Sequence, residues 1–260
     1  MAHRNRIPPA LEPYLALPLE LSLILLTSTI GCSASWLTAR FVGSALGQYA
    51  TETEACNVVL VSWMRDATFW RDEVRRASGI DLSRLTGPAK FDFVDCFSDA
   101  LTPAAKPSTT MARAEKKLLT AVSGLASTGQ TLLVLDLPDI MLATGASTAI
   151  ELNQLLLKLR SQAHAMILSC SSPLPAHASE MVPTPIEAEH AAFVVHQAHL
   201  ARCVMSVREL QTGAARDVSG VLRVTRGGAI YDADEVYGEI KEMEALYLVQ
   251  RDGTVNILER

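Results

Sequence analysis

Short, nearly all-apolar runs of four to six residues recur along the first two thirds of this chain: Leu21 to Leu26, Val58 to Val61, Phe91 to Val94, Leu132 to Leu135 and Ala165 to Leu168. A strand that barely alternates between apolar and polar residues must be covered on both faces. That is the condition of a parallel sheet with its crossovers on either side. The intervening stretches supply the covers. Trp36 to Leu46, Ala67 to Ala77, Ala112 to Leu125 and Ile150 to Leu159 carry apolar residues at helical spacing, and right-handed crossovers follow. After Ala201 the helices stop. Val204 to Leu210, Val221 to Val224, Leu246 to Val249 and Val255 to Leu258 are separated by turn residues, including Asp217-Val218-Ser219-Gly220 and a two-residue Asp252-Gly253 hairpin signal. The expected fold class is α/β, with a mostly parallel central sheet, helices on both faces and an antiparallel C-terminal extension.

A chain of 260 residues suits one α/β core, so we expect a single domain over 21–260 behind an N-terminal extension, residues 1–20. Ser171 to Pro185 contains Pro173, Pro175, Pro183 and Pro185, cannot be helical throughout, and reads as a mobile loop. The formal charge of −5 argues against autonomous binding to phosphate backbones. No uninterrupted apolar run approaches the roughly 20 residues a bilayer requires. Met1 to Pro9 has Arg4 and Arg6 but no apolar segment directly after them, which reads against a secretory signal. Cys32, Cys56, Cys96, Cys170 and Cys203 are widely spaced, without C-x₂-C pairs. They are expected to be reduced, buried thiols of a cytosolic or nuclear protein, not disulfides or zinc ligands.

The first run leads through Ser28-Thr29-Ile30-Gly31-Cys32-Ser33 into a helix, where a phosphate-cradling loop would lie, yet this loop contains no lysine. Such a loop needs glycines for close backbone approach, a Lys for the outer phosphates and a hydroxyl on Mg²⁺. Only Gly31 and the hydroxyls of Thr27, Ser28, Thr29, Ser33 and Ser35 remain. A helix N-terminus alone holds an anion weakly and leaves the γ-phosphate with nothing to stabilise its transfer. The run ending in Asp136 has the shape of a strand whose carboxylate organises Mg²⁺, although a structural Asp136 is the preferred reading, with Asp139 sharing that role around Pro138. A degenerate nucleotide site would comprise Thr29, Gly31, Ser33 and Asp136; no catalytic residue, metal or cofactor is expected.

Other patterns are weaker. Arg65, Arg71, Arg75 and Arg76 alternate with Asp66, Asp72 and Glu73, which favours a solvated or protein-contact face over a nucleic-acid stripe; Lys116-Lys117 is a similar patch. His190, His196 and His199 fall on one helix, where His196 and His199 share a face without an evident third metal ligand. Neither G-x-S-x-G nor a Cys with an oriented His occurs, which disfavours acyl transfer.

The segments Leu11 to Pro18, Val59 to Asp66, Phe93 to Asp95, Leu133 to Asp139 and Thr212 to Gly228, in this order, resemble subunit six of the Elongator complex, particularly its fungal forms. The likeness spans nearly the whole chain. It implies a RecA-like fold and a non-catalytic structural subunit that joins subunits four and five in a heterohexameric ring of a tRNA wobble-uridine modifying complex. The ring would in turn meet the subcomplex that holds the catalytic subunit. In active relatives of the fold a glutamate follows the second strand to activate water; here Ser62-Trp63 stands there. The loops Leu137 to Ser147 and Ser171 to Ile186 would face the ring channel. Neither contains Lys or Arg, while Asp139 and Glu180 within them and the neighbouring Glu187 and Glu189 are acidic, so tRNA affinity is expected from partners or from the assembled ring. A ring subunit presents two different faces. Candidate contacts are Phe69, Trp70 and Arg71, the Gly213 to Arg216 segment with Arg216, and the strand carrying Arg223 and Arg226. The rival expectation is a divergent ATPase that binds nucleotide through Thr29 to Ser35 and Asp136.

Overall fold

The computed structural model describes residues 7–48, 56–85, 88–100, 107–127, 129–172, 182–210, 212–213, 215, 217–229 and 240–259. A short helix α1 (Glu12–Leu15) precedes β1 (Ser22–Ser28), α2 (Ser35–Gln48), β2 (Cys56–Ser62), α3 (Ala67–Ser78), β3 (Phe91–Asp95) and α4 (Phe97–Ala100). The chain continues through α5 (Pro107–Ala126), β4 (Gln130–Asp136), α6 (Ile140–Ala143), α7 (Ala149–Arg160), β5 (Ala165–Ser171) and α8 (Pro185–Leu200). It closes with β6 (Cys203–Arg208), β7 (Gly220–Arg226), β8 (Met243–Val249) and β9 (Val255–Glu259).

These strands form one nine-stranded sheet in the order β3-β2-β4-β5-β1-β6-β7-β8-β9. Pairing is parallel from β3 to β6 and antiparallel from β6 to β9. The lack of alternation in the central runs has its cause here. β2 is buried along its whole length, and β4 and β5 fail only at one terminal residue each, because helices cover both faces. One face carries α2 and α3, with Phe41 and Trp70 at its centre; the other carries α5, α7 and α8, with Leu118, Leu156 and Phe193. Leu11 and Leu15 lie in the α2 layer, so the segment before β1 contributes to the core. Burying side chains of this size stabilises by roughly 1.5–3 kcal/mol each.

The antiparallel extension curls back onto α2. Tyr247 of β8 stacks on Trp36 with ring centroids 5.1 Å apart, and Val255 joins the same layer. The turn after β8 runs from Gln250 to Thr254, with Gln250 N–H donating to the Thr254 carbonyl, rather than the two-residue Asp252-Gly253 hairpin expected. Gly253 is needed there: its φ is +86°, and a Cβ would approach the Arg76 carbonyl to 2.6 Å. The expected proline-rich loop falls largely on residues 173–181, which with Glu180 lie outside the described residues. Pro185 is the first residue of α8, capped by Thr184 and Glu187 in reciprocal hydrogen bonds. None of the five cysteines is in a disulfide; Cys56, Cys96, Cys170 and Cys203 are buried, and Cys32 is half-exposed, against the expectation that all are buried. No helix among the described residues is long and apolar enough to cross a membrane.

Candidate functional site

Parallel strands deliver their carboxyl ends to one edge of the sheet, where the crevice between neighbouring strands and their following loops forms the default ligand site. Here β1, β2, β4 and β5 end in Ser28, Ser62, Asp136 and Ser171. The register places Ser62 opposite Asp136 and Asp136 opposite Ser169. These polar ends meet. Ser62 Oγ donates to Asp136 Oδ2 at 2.8 Å, and Ser169 Oγ donates to Oδ1 at 3.1 Å.

The third partner of Asp136 is a cation. Arg65, just beyond β2, places Nη1 3.1 Å from both Asp136 oxygens and Nη2 3.3 Å from Ser33 Oγ. Its backbone N–H is anchored on Ser62 Oγ at 2.9 Å, and its guanidinium lies 5.0 Å from the centre of the Phe69 ring. The Asp136 side chain is 3% exposed and that of Arg65 22%. Burial pushes the Asp136 carboxyl up, while Arg65, Ser62 and Ser169 hold the shift back. Sequence reading placed Arg65 on a solvated, mixed-charge stripe. Its position three residues past a strand terminus that faces the crevice was the signal that could have found it.

The loop between β1 and α2 closes on itself. Thr29 N–H donates to the Val207 carbonyl, Cys32 N–H to the Thr29 carbonyl, and Ser35 N–H to Ser33 Oγ at 3.2 Å. Gly31 has φ +91°, and a Cβ on it would lie 1.9 Å from Glu209 Oε1. A carboxylate therefore rests against the one glycine of the loop, where a phosphate would meet like charge. Burial raises the Cys32 thiol above its ordinary value and Glu209 adds to the shift, so Cys32 is no activated thiolate.

Of the predicted nucleotide-site residues, Ser33 is joined to Asp136 through Arg65, whereas Thr29 and Gly31 lie against Val207 and Glu209 at the end of β6, and the arrangement does not fit Mg²⁺ and a triphosphate. Mg²⁺ demands short, near-octahedral oxygen contacts, whereas both Asp136 oxygens are already committed to hydroxyl and guanidinium donors. Asp139 does not cap α6. It reaches across the turn instead, with Oδ2 accepting from Ser171 N–H at 2.9 Å and His190 Nε2 at 3.0 Å, while its buried Oδ1 has no partner among the described residues. Of the other histidines, His196 sits in the groove between α7 and α8 and His199 is exposed. No group of three or more His, Cys, Asp or Glu suited to a metal ion occurs among the described residues.

The candidate contact residues divide. Phe69 is half-buried and Arg71 exposed, but Trp70 is 0% exposed in the α2/α3 layer, so it is a core residue and not a contact one. The amphipathic phase of α3 turns Trp70 inward together with Val74 and Ala77. Arg223 and Arg226 are exposed on β7, with Arg223 opposite Glu244 of β8, while Arg226 N–H donates to Glu242 Oε1 at 3.0 Å. Arg216 lies outside the described residues.

No protein-family model and no curated protein matches the chain. Its structure is similar to that of a KaiC-like protein from the hyperthermophilic archaeon Pyrococcus horikoshii OT3, with a TM-score of 0.59 and 15% sequence identity over 98% of this chain and 97% of that one. At that identity the likeness speaks for architecture alone, and it does so end to end: the fold is RecA-type α/β, with an antiparallel extension of the sheet.

Proposed function

We propose that this chain is a non-catalytic structural subunit whose RecA-type domain holds partners in place, in the manner of Elongator subunit six. It combines with subunits four and five in a heterohexameric ring that supports tRNA binding and release during wobble-uridine modification. The observation that carries the non-catalytic reading is the guanidinium of Arg65 seated on Asp136. An internal cation stands where the fold would organise an external one, and its charge is already spent on a carboxylate. The loop that would cradle phosphates faces Glu209 instead of a lysine. Both features work against turnover of a nucleotide by this polypeptide. The assignment to Elongator is supported by the ordered segments Leu11 to Pro18, Val59 to Asp66, Leu133 to Asp139 and Thr212 to Gly228.

The partner reading is tested by native mass spectrometry of the complex purified through a tag on this chain. Co-purification of two further RecA-fold subunits in a closed six-membered assembly is the expected result. A stable homo-oligomer, or a monomer with no companions, contradicts it.

A further inference from the structure

The β3 strand is the outer edge of the sheet: on its far side no strand pairs with Phe91–Asp95 among the described residues. Its bonds to β2 fix the direction of every backbone group. Val58 N–H donates to the Lys90 carbonyl at 2.9 Å, and Cys96 N–H donates to the Ser62 carbonyl at 3.0 Å, so the even-numbered positions face β2. In a strand, the N–H and C=O of one residue point to the same side and alternate from residue to residue. Phe91, Phe93 and Asp95 therefore turn their backbone groups outward. The Asp95 carbonyl is met by Lys117 Nζ from α5, which agrees with that direction. Those of Phe91 and Phe93 have no partner among the described residues.

Beside this edge runs a cleft of about 620 Å³ between β3 and α5. Arg113, Lys116 and Lys117 line it from the helix, exposed and spaced at i, i+3 and i+4, while Asp92 is the carboxylate in its wall among the described residues. The cleft is thus locally cationic in a chain whose formal charge is −5. On the opposite face of the strand, half-buried Phe91 and Phe93 form an apolar shoulder continuous with the α2/α3 layer.

We propose that β3 is a docking edge for an extended acidic segment of a partner protein, which adds to the sheet as a further strand. Alternate residues of that segment direct carboxylates to Arg113 and Lys116 and apolar side chains to Phe91 and Phe93. Unpaired backbone groups supply the ladder, and the two different faces select the pattern of the incoming side chains. A nucleic acid fits less well, because its phosphates would face the outward carbonyls of Phe91 and Phe93 as well as Asp92.

The probe is a fluorescein-labelled hexapeptide of alternating Glu and Val, titrated into the full-length chain by fluorescence anisotropy. Saturable binding is expected, weakened at least about tenfold by Arg113→Glu with Lys116→Glu. The same peptide with alternate backbone amides N-methylated should lose a comparable factor, and hydrogen exchange at the amides of Phe91 and Phe93 should slow when the unmodified peptide is bound. Because both substituted residues are exposed, the variant should retain the wild-type thermal transition, which shows that it folds. Equal binding of the N-methylated peptide, indifference to the charge reversal, displacement of the peptide by oligouridylate, or no binding up to about 1 mM would each overturn the proposal.

Discussion

Replacing Arg65 by methionine keeps an apolar stem over Phe69 and removes the cation that faces Asp136. The lost guanidinium makes hydrogen bonds of 3.1 Å to both carboxylate oxygens. Hydrogen bonds to charged groups contribute about 1.5–3 kcal/mol, and breaking a buried pair from one side costs about 3–5 kcal/mol. The Arg65 side chain is 22% exposed, so water already solvates part of it and the low end applies. We expect a loss of about 3 kcal/mol, a large share of the roughly 5–15 kcal/mol by which a domain is stable. The loss should depend on pH. Burial already holds the Asp136 carboxyl above its usual value near 3.8, and Arg65 opposes that shift, so its removal raises the carboxyl further. A raised carboxyl stabilises the fold while protonated, below its unfolded value, and that contribution disappears as pH climbs through the folded value. The deficit of Arg65→Met should therefore be small near about pH 4.5 and largest near about pH 8. Urea unfolding followed through the buried Trp36, Trp63 and Trp70 measures it at both values. Adding Asp136→Asn should recover part of the loss at pH about 8, because no buried charge is then left unpaired. A deficit below about 0.5 kcal/mol at the higher pH, or one that shrinks as pH rises, would refute the reasoning.

Three other substitutions separate the roles of neighbouring residues. Gly31→Ala forces a Cβ into the left-handed region and against Glu209; it should lower the thermal midpoint, and Glu209→Ala added to it should restore part of that loss. Arg40 is buried; among the described residues its Nε and Nη1 have no partner and Nη2 donates to the Gly253 carbonyl, and burial lowers its pKa. Arg40→Met should leave stability unchanged or raise it by about 1 kcal/mol in urea unfolding, whereas a loss above about 2 kcal/mol would mean the guanidinium is better satisfied than its geometry indicates. Trp70→Ala should cost about 3–5 kcal/mol in the isolated chain; a fully stable variant that failed only in assembly would return Trp70 to a subunit contact.

What the chain makes legible follows from which residues share a period. Central strands that lack alternation, such as Val58 to Val61, announce burial on both faces, and the shift after Ala201 announces the antiparallel extension, because both patterns depend on which residues lie inside. Periodicity does not say which polar side chain reaches which crevice. Ser62, Asp136 and Ser169 come together only through the register of β2, β4 and β5, a non-local fact, and Arg65 joins them through a loop with no repeat to read. Trp70 was misplaced for a related reason: beside Phe69 and Arg71 it looked like part of one surface, whereas one helical step of about 100° carries it from the solvent side into the α2/α3 layer. The cover on Gly31 is equally remote in sequence, since Glu209 follows β6. Lysine was visibly missing from the first loop; the cation that sits in the crevice instead was not visible.

The central claim is that the crevice at the ends of β1, β2 and β4 has exchanged nucleotide chemistry for an internal ion pair. Calorimetric titration of the purified chain with ATP and Mg²⁺ tests it most directly. We expect no saturable, Mg²⁺-dependent heat up to about 1 mM, and the same flat response from Asp136→Asn. Saturable binding that requires Mg²⁺ and vanishes in Asp136→Asn would contradict the account.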